Sequence, residues 1–222
     1  MAFPPFLFPM KPTILFDLDG TLIDSTSAIL DGFYYAFSKF NKPLPSEVSI
    51  TSQIGYPLDI MFANLGVEAK FIDEFVTAYK EKYLQIYLDQ TVLLETAYEA
   101  VEFASKFADL GVVTTKTSKF SHILLEHLGI YRFFKIIIGR EDALNLKPHP
   151  EPILNALNKM QKTSQDSFMV GDTKLDAIAA KGAGIKSIGL LCGYGSKDEL
   201  ETHCDFVCKN PLEAANLIKN LF

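Results

Sequence analysis

With 222 residues, 48% of them hydrophobic and 22% charged, the chain has the make-up of an ordinary soluble globular protein. It is long enough for one α/β domain or a domain carrying a smaller insertion. The net charge of −6 and the absence of a Lys/Arg cluster exclude a surface that tracks nucleic-acid phosphates. Cys192, Cys204 and Cys208 are an odd set in a chain with no secretory pattern, which points to reduced thiols in the cytoplasm. His203 beside Cys204 and Cys208 fits no closed zinc motif.

Residues 1–12 are apolar but carry Pro4, Pro5, Pro9 and Pro12, which block a helical span, and no basic segment precedes the Phe-Leu-Phe run. Neither a signal peptide nor a membrane anchor is expected, and Phe3, Phe6 and Phe8 are expected to dock on the protein or on a neighbour. The following stretch, Thr13-Ile14-Leu15-Phe16-Asp17-Leu18-Asp19-Gly20, reads as a buried strand that ends at two carboxylates and a turn-forming glycine. An extended backbone would aim Asp17 and Asp19 to one side, where two anions need a cation between them or a proton on one.

From Ser25 to about residue 89 the pattern is helical. Ala28, Ile29, Phe33, Ala36, Phe37 and Phe40 recur at three- and four-residue steps, with Ser25 or Thr26 as the cap. A second piece follows Pro57 and ends at Gly66, and a third covers about 68–88 with Phe71, Phe75, Tyr79, Tyr83 and Tyr87 four apart. An aromatic stripe at that spacing is what helix packing requires. The region is therefore an all-helical insertion, dividing the chain into a core of 1–24 and 90–222 and an inserted unit of 25–89.

Beyond it strand and helix alternate. Helix 97–107, strand 110–115, helix 118–128, strand 136–138, helix 151–160, strand 168–170, helix 174–181, strand 187–190, strand 206–207 and helix 212–221 are expected. Alternation of this kind implies a doubly wound, mostly parallel α/β sheet, Rossmann-like in plan, with ligands beyond the carboxyl ends of the strands. Those ends gather Asp17, Asp19, Thr114, Thr115 and Asp172, with Asp176 one helical turn further on and Lys147 on a proline-bounded loop. Hard oxygen ligands suit Mg²⁺, and metal, ammonium and hydroxyls together suit a phosphoryl dianion. His149 beside Lys147, and Lys116 after the two threonines, are further residues within reach of such a site. His122 and His127, five apart, do not share a helix face.

The strings Asp17-Leu18-Asp19-Gly20-Thr21-Leu22, Val112-Val113-Thr114-Thr115-Lys116, Lys147-Pro148 and Gly171-Asp172-Thr173-Lys174-Leu175-Asp176 resemble, in order, the four motifs of the haloacid dehalogenase-like hydrolase superfamily. The stretches 147–152, 179–184 and 193–195 look most like its phosphoglycolate phosphatase branch. The resemblance implies a phosphatase in which Asp17 is the nucleophile, forming an aspartyl-phosphate, and Asp19 is the general acid and base. It implies Thr114 and nearby amides on the phosphoryl oxygens, with Thr115 standing where Asn is usual, and Lys147 offsetting the charge of Asp17 and phosphate. Mg²⁺ would be held by Asp17, the Asp19 carbonyl, Asp172 and Asp176. Residues 25–89 match the position of the mobile C1 cap, and Gln53-Ile54-Gly55-Tyr56-Pro57 resembles its specificity loop, with Gly20 and Thr21 in the flexing link. Leu94-Glu95 replaces the Pro-Gly pair common in relatives. The expected substrate is a small phosphorylated metabolite, and the expected assembly a monomer or homodimer. A pyrophosphatase or sugar-phosphate mutase could use the same core. A non-catalytic phosphoacceptor module would share the acidic cluster but has no use for Asp19 as acid and base.

Overall fold

The computed structural model describes residues 11–222, so the expected docking of Phe3, Phe6 and Phe8 lies outside the described residues. Strand β1 (Thr13–Phe16) is fully buried and sits between β4 (Asp109–Val113) and β6 (Ser167–Gly171), parallel to both. Among the described residues, β5 (Phe134–Ile138), β7 (Lys186–Leu190) and β8 (Phe206–Cys208) complete a six-stranded parallel sheet in the order β5-β4-β1-β6-β7-β8. The order reverses direction at β1, so the crevice beyond its carboxyl end is the place where loops from both halves of the sheet meet.

Side-chain alternation along β1 feeds two cores. Ile14 and Phe16 pack with the small residues of α5 (Ala97–Ser105) and with α10 (Pro211–Leu221). Leu15 points the other way, toward α7 (Glu151–Lys159) and α8 (Lys174–Ala183), where Ile153, Ala156, Leu157, Ala179 and Ala180 close the opposite face. Both faces covered is the arrangement that the near-continuous apolar strands require. The helix α6 (Ser118–His127) contributes Leu124 and Leu125 to the first of these cores.

Between β2 (Ile23–Asp24) and β3 (Val92–Leu93) the chain is helical: α1 (Thr26–Lys39), α2 (Glu47–Thr51), α3 (Leu58–Asn64) and α4 (Ile72–Ile86). The aromatic stripe is packing, as its spacing requires: Phe33 lies 4.5 Å from Phe62 and 5.2 Å from Tyr79, ring centre to ring centre. At Gly32 of α1 a Cβ would stand 2.6 Å from the Tyr79 ring, so glycine lets α1 and α4 approach this closely.

Several local expectations need correction. β2 and β3 pair antiparallel, Ile23 with Leu93 and Asp24 with Val92, so the two passages between core and insertion run side by side as a two-stranded ribbon too short to show a period. The short helices α2 and α9 (Lys197–His203) carry no long apolar repeat, yet the Ser46 and Ser196 hydroxyls cap them by accepting from the Ser49 and Glu199 amides. The third helical piece begins as a 3₁₀ turn over Ala69–Phe71 before α4. Neither Ser25 nor Thr26 caps α1; the Asp24 carboxylate accepts from the Thr26 amide at 2.9 Å instead. No helix among the described residues is long and apolar enough to cross a membrane.

Candidate active site

The turn after β1 sets the site. The Leu22 and Ile23 amides donate to the Leu18 carbonyl, Gly20 donates to Ile23, and Gly20 takes φ +78°. A Cβ at Gly20 would collide with Asp172 and Tyr194, so the position needs glycine both for its backbone and for the space it leaves. Past this turn lie the ends of β4 and β6 and the loop before α7, where the Lys147–Pro148 peptide bond is cis.

One ligand oxygen each from Asp17, Asp172 and Asp176 lies within 4.8 Å of the others, and all three residues are buried. Lys147, also buried, places Nζ 3.0 Å from Asp17 Oδ1 and 2.6 Å from Asp176 Oδ1. Its remaining donor goes to the Val113 carbonyl at 3.0 Å. Asp172 accepts from the Thr21 hydroxyl at 2.8 Å and from the Tyr194 amide at 2.8 Å. Asp176 Oδ2 accepts from the Thr173 hydroxyl and amide, closing the start of α8.

Three buried carboxylates stand against one buried ammonium, and the electrostatics register the imbalance. Burial pushes the Asp17 carboxyl up to about 7; Lys147 pulls it down, while Asp176 adds to the rise. Burial, then Asp17 and Asp176, pushes Asp172 well up. Burial works against the Lys147 ammonium, but Asp17 and Asp176 outweigh it and the net shift is upward. A divalent cation among these oxygens would correct the deficit of positive charge, and an all-oxygen set is what Mg²⁺ takes, so the residues present fit the metal.

Asp19 stands apart from this cluster. The sequence reading aimed Asp17 and Asp19 to one side, with a cation between them or a proton on one; in the structure each acid has its own lysine, Lys147 for Asp17 and Lys116 for Asp19, and the Asp17 carboxyl is the one pushed up. Asp19 Oδ2 is 3.3 Å from Lys116 Nζ, and its Oδ1 accepts from the Ser25 hydroxyl. Lys116 also donates to the Tyr83 hydroxyl of α4 at 2.8 Å and lies 4.9 Å from that ring's centre. Burial opposes its charge, yet Asp19 and Tyr83 raise the ammonium overall. Thr114 is buried at the end of β4, where its hydroxyl accepts from the Lys116 amide at 3.2 Å. Thr115 instead donates to the Gly55 carbonyl at 3.1 Å, tying the core to the loop before α3.

Ser25, Tyr83 and Tyr194 lie at the site, where the sequence reading did not place them. A serine six residues beyond an acid was the available signal for Ser25. His149 does not face the cluster; it is exposed and its Nδ1 accepts from the Glu151 amide at 3.2 Å. His122 pairs with Glu126 at 3.1 Å on α6. The three cysteines are free thiols. Beside Asp19 and Lys116, a cavity of about 330 Å³ opens between the inserted helices and the core.

Comparison with known proteins adds a family. A family model described as haloacid dehalogenase-like hydrolase matches residues 14–190. A pyrophosphatase PpaX of Anoxybacillus flavithermus is 33% identical over 193 residues, 86% of this chain and 88% of the relative. A phosphoglycolate phosphatase of Salmonella paratyphi A is 31% identical over 205 residues, 82% of this chain and 81% of the relative. The solved structure of the haloacid dehalogenase-like family protein SP0104 from Streptococcus pneumoniae superposes with a TM-score of 0.86 at 29% identity, covering 93% of this chain and 98% of that one.

Proposed function

Since the chain belongs to the haloacid dehalogenase-like hydrolase family, we propose that it is a phosphatase that hydrolyses a small organic phosphomonoester through an aspartyl-phosphate at Asp17. The observation that carries the reading is the buried constellation of Asp17, Asp172, Asp176 and Lys147 at the carboxyl end of β1, next to but separate from a second acid, Asp19, with its own lysine. Separation of the two acids suits two jobs: Asp17 attacks phosphorus in line, and Asp19 gives a proton to the leaving alcohol and later takes one from water.

The Ser25 hydroxyl and Lys116 hold Asp19 toward the cavity in which the leaving group would sit. Thr114 and the amides after β4 bind phosphoryl oxygens. Asp17, the Asp19 carbonyl, Asp172 and Asp176 would hold Mg²⁺, which supplies positive charge against the transferring phosphoryl group. Lys147 draws the Asp17 carboxyl down against the effect of burial and holds it in place. The four inserted helices, joined to the core by the β2–β3 ribbon, act as a lid that excludes water when closed. The relatives named pyrophosphatase and phosphoglycolate phosphatase differ in leaving group, so the leaving group of this chain is read from its own cavity.

Turnover of 4-nitrophenyl phosphate with Mg²⁺ tests the reading. The wild-type chain should hydrolyse it, and Asp17→Asn should lose about 10³-fold or more in kcat with its melting temperature retained. Equal turnover by the variant, or none by the wild type, would contradict it.

A further inference from the structure

The cavity next to Asp19 has walls that differ from what a charged leaving group needs. Ile54, Leu58, Met61, Val76, Tyr79 and Phe120 supply an apolar and aromatic surface, with Ile54, Met61 and Tyr79 buried and the others half-buried. Its volume of about 330 Å³ has room for about ten water-sized groups, several times what a two-carbon acid fills.

The charges around it are already matched. Lys116 is engaged by Asp19 at 3.3 Å and by the Tyr83 hydroxyl at 2.8 Å. Arg140 Nη2 is 3.0 Å from Asp59 Oδ1 at the rim. Lys80 and Asp73 also line the cavity, but both are exposed, where solvent screens them. A carboxylate or second phosphate on the leaving group would enter a partly desolvated space whose interior cation is held by another anion, at the cost of an unpaired charge. A neutral acceptor meets no such cost.

Resting on the phosphatase reading above, we propose that the substrate is the phosphate ester of an uncharged alcohol with an apolar, ring-bearing body. That body packs against Leu58, Val76, Tyr79 and Phe120 while its ester oxygen faces Asp19. Phosphoglycolate and pyrophosphate are then poor substrates of this chain.

Steady-state kinetics of the full chain with Mg²⁺ on four compounds decides the matter: 2-phenylethyl phosphate, ethyl phosphate, phosphoglycolate and pyrophosphate. The first two leave as alkyl alcohols, so they differ chiefly in the ring. KM for 2-phenylethyl phosphate should be about tenfold or more below that for ethyl phosphate, the low end of what burying one phenyl ring contributes. Its kcat/KM should also exceed those of phosphoglycolate and pyrophosphate, and Val76→Ala with Phe120→Ala should raise its KM severalfold. Higher kcat/KM on phosphoglycolate or pyrophosphate, or equal KM for the two alkyl esters, overturns the assignment while leaving the phosphatase reading in place. Failure to hydrolyse any of the four, together with 4-nitrophenyl phosphate, removes the phosphatase reading and this inference with it.

Discussion

Lys147 has its three donors engaged inside the protein, by Asp17, Asp176 and the Val113 carbonyl, so its first task is to hold carboxylates that burial would otherwise discharge. Replacing it with methionine leaves two buried acids without their cation. Lys147→Met should lose about 3–5 kcal/mol of stability at pH 8, read by urea denaturation, and less at pH 5.5, where protonation neutralises the stranded carboxyls. A loss below about 1 kcal/mol at pH 8 would show that the pair is not needed to hold the site. Asp17 and Asp172 were legible in the sequence because parallel strands deliver their carboxyl ends to one edge, Asp176 from its helical turn beyond Asp172, and Lys147 from its proline-bounded loop. The surroundings of Asp19 were not. Lys116 was within reach of the site by its place after the two threonines, but its pairing with Asp19 and the hydroxyl that Ser25 donates depend on the fold of the turn after β1, which no spacing rule encodes.

Among the elements, the inserted helices show how far periodicity carries. The four-residue aromatic step of α4 identified a packed face, and Phe75, Tyr79 and Tyr83 are buried on it. Periodicity said nothing of where the stripe ends. Tyr83 stacks between Tyr79 and Tyr87 and its hydroxyl also meets Lys116, which makes the same helix a wall of the candidate cleft. Gly32 was equally silent, since a glycine inside a helical pattern reads as a weak point until its neighbour is known. With the Tyr79 ring 2.6 Å from where a Cβ would stand, Gly32→Ala should destabilise by about 1–3 kcal/mol despite its better helix propensity. An unchanged or raised melting temperature would mean that α1 and α4 can move apart without cost. The elements missed outright, α2, α9 and the β2–β3 ribbon, are those too short to repeat, fixed by a capping serine or by pairing with a distant segment.

Over the whole molecule, the doubly wound parallel sheet followed from alternation of strands and helices, and its reversal at β1 explains why four sequence-distant segments share one cleft. The cleft couples folding to pH and metal. The folded chain holds a proton on Asp17 up to about pH 7, whereas the unfolded chain releases it near the ordinary value of 3.8. The folded state therefore binds more protons across that window, and in the absence of metal this group lowers stability as pH rises through it. Mg²⁺ competes with those protons, so saturating Mg²⁺ should raise the melting temperature by several degrees more at pH 8 than at pH 5.5. An equal shift at both values, or none at pH 8, would argue that the three carboxylates do not hold the metal.

The assignment of Asp17 as nucleophile is tested most directly by trapping. Enzyme quenched during turnover of a phosphate ester with Mg²⁺ and reduced with tritiated borohydride converts an acyl phosphate to the corresponding alcohol, leaving labelled homoserine in place of the aspartate. Peptide mapping should locate the label at position 17, only when substrate and Mg²⁺ are both present. Label at another residue, or phosphate release with no substrate-dependent label, would contradict the aspartyl-phosphate route.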